Sequence, residues 1–449
     1  MTLEQRFNER FRPNKNKVIG VLEGQGTTLP LPIVEGARGI KIPQDDLELL
    51  LACAKYELPP PFVASGRAAL VERLTPLLDK KNDRELAAYK IKGCGAQLED
   101  GQVMIPATIP YRSVGVITHM GFANNGDLVA VPDPPKPYGG LKSGRGEREF
   151  ENAKRLFRAG VVAVSPIYWG KYPTLIFEGS PMEFVILGME EAAKRRVGDF
   201  FQHMRFDFEE ATISPDLLEI VNKRFEVTDK KGQANGANKV LCEIVRKFGE
   251  ALRKFHTDGE TIRFAGHDGN YSYDSSKSRA ILHDLDSAIH ISEVDKKIIG
   301  LSKVRDLESA IFGIYEIYWV SGLENMISRE NRRKNDLFKA FLEGYFGTKE
   351  TEKLKEASER LQNELEKSFD RRKSCLTTHN LMKWMGNNHQ VITVPVMHAI
   401  MPLYKTDEQE EVHPLIYDAE EFEKRYPAFE KESRRAYEKY CREQGIPPI

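Results

Sequence analysis

Apolar and polar residues alternate in short runs through the first half of this chain and recur at helical spacing through the second. Between Leu86 and Val131, the runs Ala88-Tyr-Lys-Ile-Lys92, Gln102-Val-Met-Ile105 and Ser113-Val-Gly-Val-Ile-Thr118 are separated by Gly, Asn and Asp. This is the pattern of short strands closed by turns. Thr174-Leu-Ile-Phe177 and the run from Met182 to Gly188 read as further strands. The segment Glu147 to Ala159 puts Phe150, Ala153, Leu156 and Phe157 on one face, which predicts an amphipathic helix. Upstream, short apolar runs are broken by prolines, and Ala64 to Leu78 predicts a helix capped by Ser65. From about Val197 the pattern turns mostly helical: Phe248, Leu252 and Phe255 lie at helical spacing before a break at Asp258-Gly259, and Leu307 to Tyr345 is apolar at the same period. A highly charged helix is predicted from Thr348 to Lys373, and Arg279-Ala-Ile-Leu282 reads as a short strand. Together these elements predict an α+β protein with an N-terminal appendage (1–85), a β-rich part (86–190), a helical part (191–345) and a helical C-terminal extension (346–449).

A chain of 449 residues has the length of two or three domains, or of one large domain with appendages. Its 66 Lys and Arg nearly cancel its 67 Asp and Glu, leaving a net charge of −1. No bulk field draws it to nucleic acid, so none is expected as a partner. Cys53, Cys94, Cys242, Cys375 and Cys441 are scattered without a Cys-x-x-Cys pair, which fits reduced thiols. The N-terminal residues mix charges and lack the apolar stretch of a secretory signal. Phe184 to Leu187 and Val391 to Val396 fall far short of the roughly 20 apolar residues of a membrane span. A soluble, cytoplasmic protein without a membrane partner is expected. His379, His389 and His398 are irregularly spaced, so no zinc is expected. Trp384, set between Met382 and Met385, reads as a core residue, and the charged run 348–373 as a solvated helix face.

Two stretches carry the candidate chemistry. Arg263-Phe-Ala-Gly-His-Asp-Gly-Asn270 follows the Phe248 helix, and Ile281-Leu-His-Asp-Leu-Asp-Ser-Ala288 ends the short strand. Asp-Gly and Gly-Asn are ordinary turn pairs. Their order here, helix, His-Asp-Gly-Asn loop, polar turn and apolar strand ending in Asp, resembles the metal-holding part of a kinase-type site. Such a site grips Mg²⁺ on the nucleotide phosphates with an amide oxygen and a carboxylate from adjacent segments. The resemblance assigns these roles to Asn270 and Asp284, with Asp286 either a second metal ligand or a cap for Ser287 to Ser292. A kinase-type site also needs a lysine for the phosphates and a helix glutamate to orient it. Lys92 and Glu149 fill these roles. Lys92 shares a strand face with Lys90 and abuts Gly93-Cys-Gly95, where missing side chains permit close backbone approach. Lys142, Gly144 and Arg145 offer further donors to phosphate. The aspartate that a standard kinase places five residues before its asparagine is Ala265 here, so Asp268 is either a substitute base or a metal contact, with His267 to orient it.

Lys92-Gly-Cys-Gly95, Pro137-Tyr138 and Arg148-Glu-Phe150, followed by Ala153 and Gly160-Val161, resemble the selenoprotein O family over about residues 88–290. The resemblance implies a two-lobed, protein-kinase-like fold with a hinge near Leu187 to Glu191, here with the N-terminal appendage and helical C-terminal extension added. It implies a Lys92–Glu149 ion pair, metal at Asn270 and Asp284, and ATP bound in a flipped orientation so that AMP passes to a protein hydroxyl. The chain departs from that family in residues 96–136, which are inserted, and in Gly139-Gly140, where the family has Ser-Arg. Gly269 also separates Asp268 from Asn270, and the C-terminal stretch holds a single cysteine, Cys441. ATP and Mg²⁺ are the expected cofactors, and the acceptor is a protein or a small molecule. Phosphate transfer, and an inactive scaffold acting through the helical C-terminal block, are the alternatives.

Overall fold

Strands with alternating burial build a four-stranded antiparallel sheet from β1 (Ala68–Asp79), β2 (Arg84–Lys92), β3 (Ser165–Phe177) and β4 (Ser180–Met189), in the order β3-β4-β2-β1. The structure is a computed structural model. It describes residues 1–13, 20–22, 28–63, 66–79, 84–98, 100–106, 110–111, 118–123, 125–132, 136–200, 213–321, 327–348, 351–372, 393–404 and 419–443. The chain is α+β and forms two units. The first comprises Met1–Val114, Pro134–Lys194 and Leu282–Ala288; the second comprises Gly115–Asp133, Arg195–Ile281 and Ile289–Ile449.

In the first unit, β1 replaces the helix expected from Ala64 to Leu78. Pro76 argues against a helix interior, because it lacks an N–H and clashes with the preceding turn. It falls where the β1–β2 ladder shifts register, between Glu72 and Leu77, a place where a strand tolerates proline. The boundary expected at residue 85 therefore lies inside β2. The residues before it share the core of the sheet: α1 (Leu3–Arg10) and α2 (Gln44–Lys55) bring Phe7, Leu49 and Leu50 into one cluster with Tyr89 and Ile91. Asp46 of α2 is wholly buried and meets Arg10 at 3.0 Å, Arg73 of β1, and the Tyr89 hydroxyl at 3.3 Å. α3 (Arg145–Arg158) forms as its period predicts, burying Phe150, Ala153 and Leu156 against β3 and β4. Its stretch Pro134–Lys194 stops a few residues before Val197, where the pattern turns helical.

The second unit is mainly helical. α4 (Pro215–Phe225) is followed by α5 (Lys230–Thr257), which ends at the expected break, and by the hairpin of β5 (Tyr271–Asp274) and β6 (Arg279–Leu282). α6 (Ile299–Ser321), α7 (Leu337–Phe346), α8 (Thr351–Arg372) and α9 (Ala419–Glu443) follow. α5 and α7 approach closely at Gly249 and Gly344, where an added Cβ would strike the carbonyls of Phe341 and Arg246. The charged helix α8 is more than a solvated face, for it buries Leu354, Leu361 and Leu365. Of the inserted segment, Ala96–Gln97 and Gln102–Met104 form a small sheet with Gly20–Leu22, and Thr118–Phe122 pairs with Leu128–Pro132. Residues 112–117, together with Cys375, His379, Trp384 and His389, lie outside the described residues. Cys53, Cys94 and Cys242 are free thiols. Among the described residues, no helix is long and apolar enough to cross a membrane.

Asp46 is buried, while its partners Arg10 and Arg73 both keep some exposure, so its removal leaves donors that water can partly reach. Asp46→Ala should lower the unfolding free energy by about 1–3 kcal/mol in urea titration; a loss below about 0.5 kcal/mol would show that Asp46 does not anchor α2 to the sheet. In the second unit, Glu243 of α5 accepts from Arg224, Tyr273 and, at 3.0 Å, Ser278. The Arg224 hydrogen bond, opposed by burial and aided by Tyr273 and Ser278, holds its carboxyl down at about 2. Its pKa is depressed on folding, so its contribution is present above the ordinary carboxylate range and lost as pH falls toward 2. The stability gap between wild type and Glu243→Gln should therefore close on acidification; a gap independent of pH would contradict this assignment.

Candidate active site

Lys92 ends β2, flanked in the sheet by Ala68 of β1 and Val185 of β4. Its ammonium donates to Glu149 Oε2 at 2.6 Å and to Asp284 Oδ1 at 2.9 Å. Glu149 reaches it from α3, the helix packed on the sheet, and its carboxylate is wholly buried. Burial by itself would lower the lysine's pKa, but the carboxylates of Asp284, Glu149 and Asp286 outweigh it and hold the ammonium well above the usual lysine range. Burial pushes the Glu149 carboxyl up; Lys92 pulls it back, and the charges of Asp284 and Asp286 push the same way as burial. Glu149 Oε1 is buried and has no hydrogen-bond partner among the described residues. The lysine's charge is thus what keeps this carboxylate tolerable in the interior.

Asp284 arrives through main-chain pairing. Val164 N donates to Leu282 O and Leu282 N to Val162 O, both at 3.1 Å, setting Leu282, which belongs to the first unit, beside the start of β3. The chain then turns with Asp284 at φ +50°, a left-handed conformation that aspartate tolerates better than most residues. Asn152, one turn along α3 from Glu149, donates to the carbonyls of Leu285 at 2.8 Å and Ala288 at 2.7 Å. Arg145, the first residue of α3, donates to Asp286 O at 3.1 Å and lies 4.0 Å from its carboxylate. Asp286 does not cap the following segment: the turn Ile291–Glu293 is capped by His290.

Not every expected residue joins this cluster. Lys142 pairs instead with Glu178 in the β3–β4 turn, at 3.6 Å. Gly93 and Gly95 both have positive φ, yet the room they leave is taken by the protein itself. A Cβ at Gly93 would strike Glu183 O, and one at Gly95 would strike Met104 O and the Tyr56 hydroxyl. Their missing side chains serve close internal packing rather than an open backbone cradle. Gly144 has positive φ and sits at the N-cap of α3, with no side chain to cap the helix. The cap is supplied by Glu183, buried in β4, whose Oε2 accepts Glu147 N at 3.0 Å while Oε1 lies 3.5 Å from Lys171. Sequence reading missed Asn152 and Glu183. Their signals were an asparagine inside a helix and a carboxylate inside the apolar run Met182 to Leu187.

In the second unit the loop before β5 is held at several points. Asp306 of α6 accepts Phe264 N at 3.0 Å and contacts His256 Nε2 at 3.1 Å, and Ser309 Oγ accepts Gly266 N at 3.0 Å. Burial lowers the His256 pKa, with Asp306 opposing. Phe248 of α5 stacks on Tyr271, with ring centroids 3.9 Å apart. Asp268 and Asn270 lie in the resulting short turn, both buried. Asn270 Nδ2 donates to Ala265 O at 2.8 Å, which leaves Oδ1 as an acceptor, 3.3 Å from Arg196 Nη1. His267 Nδ1 accepts Gly269 N at 3.1 Å and lies 4.0 Å from Asp268 Oδ1.

Among the described residues, no group of three or more His, Cys, Asp or Glu side chains is arranged to hold a metal ion. The partly exposed carboxylates of Asp284 and Asp286 are hard oxygen donors of the kind Mg²⁺ takes. Around Lys92, the charges of Glu149, Asp284 and Asp286 exceed those of Lys92 and Arg145 by one, an excess that suits a divalent cation. Two donors of this type stand here, Asp284 and Asp286, fewer than the three of a ready-made metal-holding group. No protein-family model matches this chain, and a comparison with curated proteins finds no match.

Lys92→Met keeps the volume of the stem and removes the charge, leaving Glu149 buried beside other carboxylates. It should destabilise the fold by about 3–5 kcal/mol at neutral pH. With the Glu149 pKa then raised above its unfolded value, the variant should recover relative to wild type as pH falls through the carboxylate range. The double variant Lys92→Met/Glu149→Leu should be more stable than Lys92→Met alone. Urea midpoints against pH measure both effects, and a double variant no better than the single would rule out the stranded carboxylate as the cause.

Proposed function

We propose that this protein is an ATP- and Mg²⁺-dependent transferase of protein-kinase-like, two-lobed fold, transferring AMP from ATP to a protein hydroxyl. The observation that carries the proposal is the pairing of half-buried Lys92 with buried Glu149, with Asp284 on the same ammonium. A lysine held this way presents a fixed positive charge, and two hydrogen bonds stop its flexible stem from swinging. A nucleotide phosphate reaching Lys92 would compete with Asp284 for the ammonium, while Glu149 keeps the stem in place from its buried side. Asp284 and Asp286 would hold Mg²⁺, which supplies charge neutralisation at the phosphate oxygens. Positioning and charge neutralisation supply most of the catalysis in such transfers, so the lack of a carboxylate at Ala265 is compatible with activity. Asp268, buried and next to His267, is the carboxylate assigned to the acceptor's proton.

The choice of AMP over phosphate rests on the resemblance to the selenoprotein O family at Lys92-Gly-Cys-Gly95 and Arg148-Glu-Phe150. Purified protein incubated with Mg²⁺ and ATP labelled separately on the α- and γ-phosphates separates the possibilities. Label transferred from the α position, and lost in Asp284→Ala, is the expected result. Transfer from the γ position alone would make the protein a kinase. No transfer from either, with no Mg²⁺-dependent binding of ATP, would refute the transferase and leave a scaffold.

A further inference from the structure

We propose that Asn152 is a positioning residue that ties the Asp284 turn to α3, so that the helix carrying Glu149 also sets the conformation of Asp284. This rests on the reading of Lys92, Glu149 and Asp284 as a phosphate- and metal-handling group. Asn152 is buried, at 2 % exposure, on the same helix face as Glu149. Its Nδ2 donates to two carbonyls of a single short turn, Leu285 O at 2.8 Å and Ala288 O at 2.7 Å. Its Oδ1 accepts from Arg155 Nη1 at 3.2 Å, so the amide orientation is consistent at both ends. An asparagine is a poor interior helix residue, and a buried one is tolerable only where its polar atoms are met, as they are here.

The turn it grips is the one that needs holding. Asp284 stands at φ +50°, a conformation that aspartate tolerates better than most residues but that still costs energy, so contacts around the turn help to hold it. Lys92 secures the Asp284 side chain, and the Leu282–Val162 and Val164–Leu282 hydrogen bonds secure the strand before it. After Asp284, Asn152 grips the main chain at Leu285 O and Ala288 O, and Arg145 grips it at Asp286 O. Both belong to α3, so a displacement of that helix would move Glu149 and the Asp284 turn together. Asn152 needs no contact with substrate to do this.

Hydrogen exchange of the full-length protein, without ligand, tests the tether directly. In the unmodified chain the 282–288 segment should be protected; exchange there as fast as in an exposed loop would overturn the proposal without any variant. Asn152→Leu keeps the volume and removes the donors, and Asn152→Ala is a second variant that favours the helix. Each should speed exchange in the 282–288 peptide by about tenfold, the order expected for losing a buried hydrogen bond, while peptides from β2 and β4 stay as in wild type. Unchanged exchange at 282–288, or equal acceleration throughout the first unit, would reduce Asn152 to a general packing role. Calorimetry then tests the link to function: Asn152→Leu should weaken binding of Mg²⁺-ATP about tenfold and leave binding of metal-free ATP unaltered. Equal weakening of both would overturn the positioning of Asp284. If the wild type binds no ATP at all, the transferase reading fails, while the exchange result still decides whether Asn152 holds the turn.

Discussion

A carboxylate folded into the interior of α3 must either find a positive charge or give up its own. Glu149 meets this demand through Lys92, and much of the first unit's geometry follows from that pairing. The lysine must stand at the end of β2 with its stem directed at the helix, which requires the β2 register against both Ala68 and Val185. The helix must dock with Glu149 inward, which the burial of Phe150, Ala153 and Leu156 against β3 and β4 secures. A slip of one residue in β2 would turn Lys92 to the other face and strand the glutamate. The ion pair is therefore a constraint on packing as well as a feature of the site.

The same helix is held at its start by a group from another strand. Gly144 has no side chain to cap α3, and Glu183 of β4 supplies the missing acceptor at Glu147 N. Glu183 also fixes the loop before the helix, since its main-chain N–H donates to Leu141 O at 2.8 Å. Gly146 allows this approach, because a Cβ there would crowd the Glu183 side chain. Gly93 and Gly95 serve the same end, letting neighbouring backbone and the Tyr56 hydroxyl close in around the end of β2. The glycines near Lys92 thus compact the support of the site, and the charge excess around Lys92 comes from carboxylates delivered by α3 and by the turn after β6.

Much of this was legible beforehand, and what was not has a common cause. The helix around Phe150, the helix ending before Asp258, and the strands at 88–92, 174–177, 182–188 and 279–282 all carry their period in the sequence, and the structure contains them. Lys92, Glu149 and Asp284 could be named from local motifs, and the structure brings them together. The pairing of Lys142 with Glu178 was not legible that way, because it depends on where the β3–β4 turn falls. Ala64 to Leu78 was misread because its apolar spacing suits a helix as well as a strand, and only pairing with β2 along both halves of a broken ladder decides between them.

By itself the sequence determined the α+β character, the placement of most helices and strands, and the residues with chemistry worth testing, because periodicity and turn residues act over a few positions. The tertiary structure alone decided that residues 68–79 are an edge strand, that Glu183 caps α3, and that Asn152 grips the turn after Asp284. These contacts join residues far apart in the chain, and whether a buried polar atom is met by a partner is settled only when distant segments pack against it.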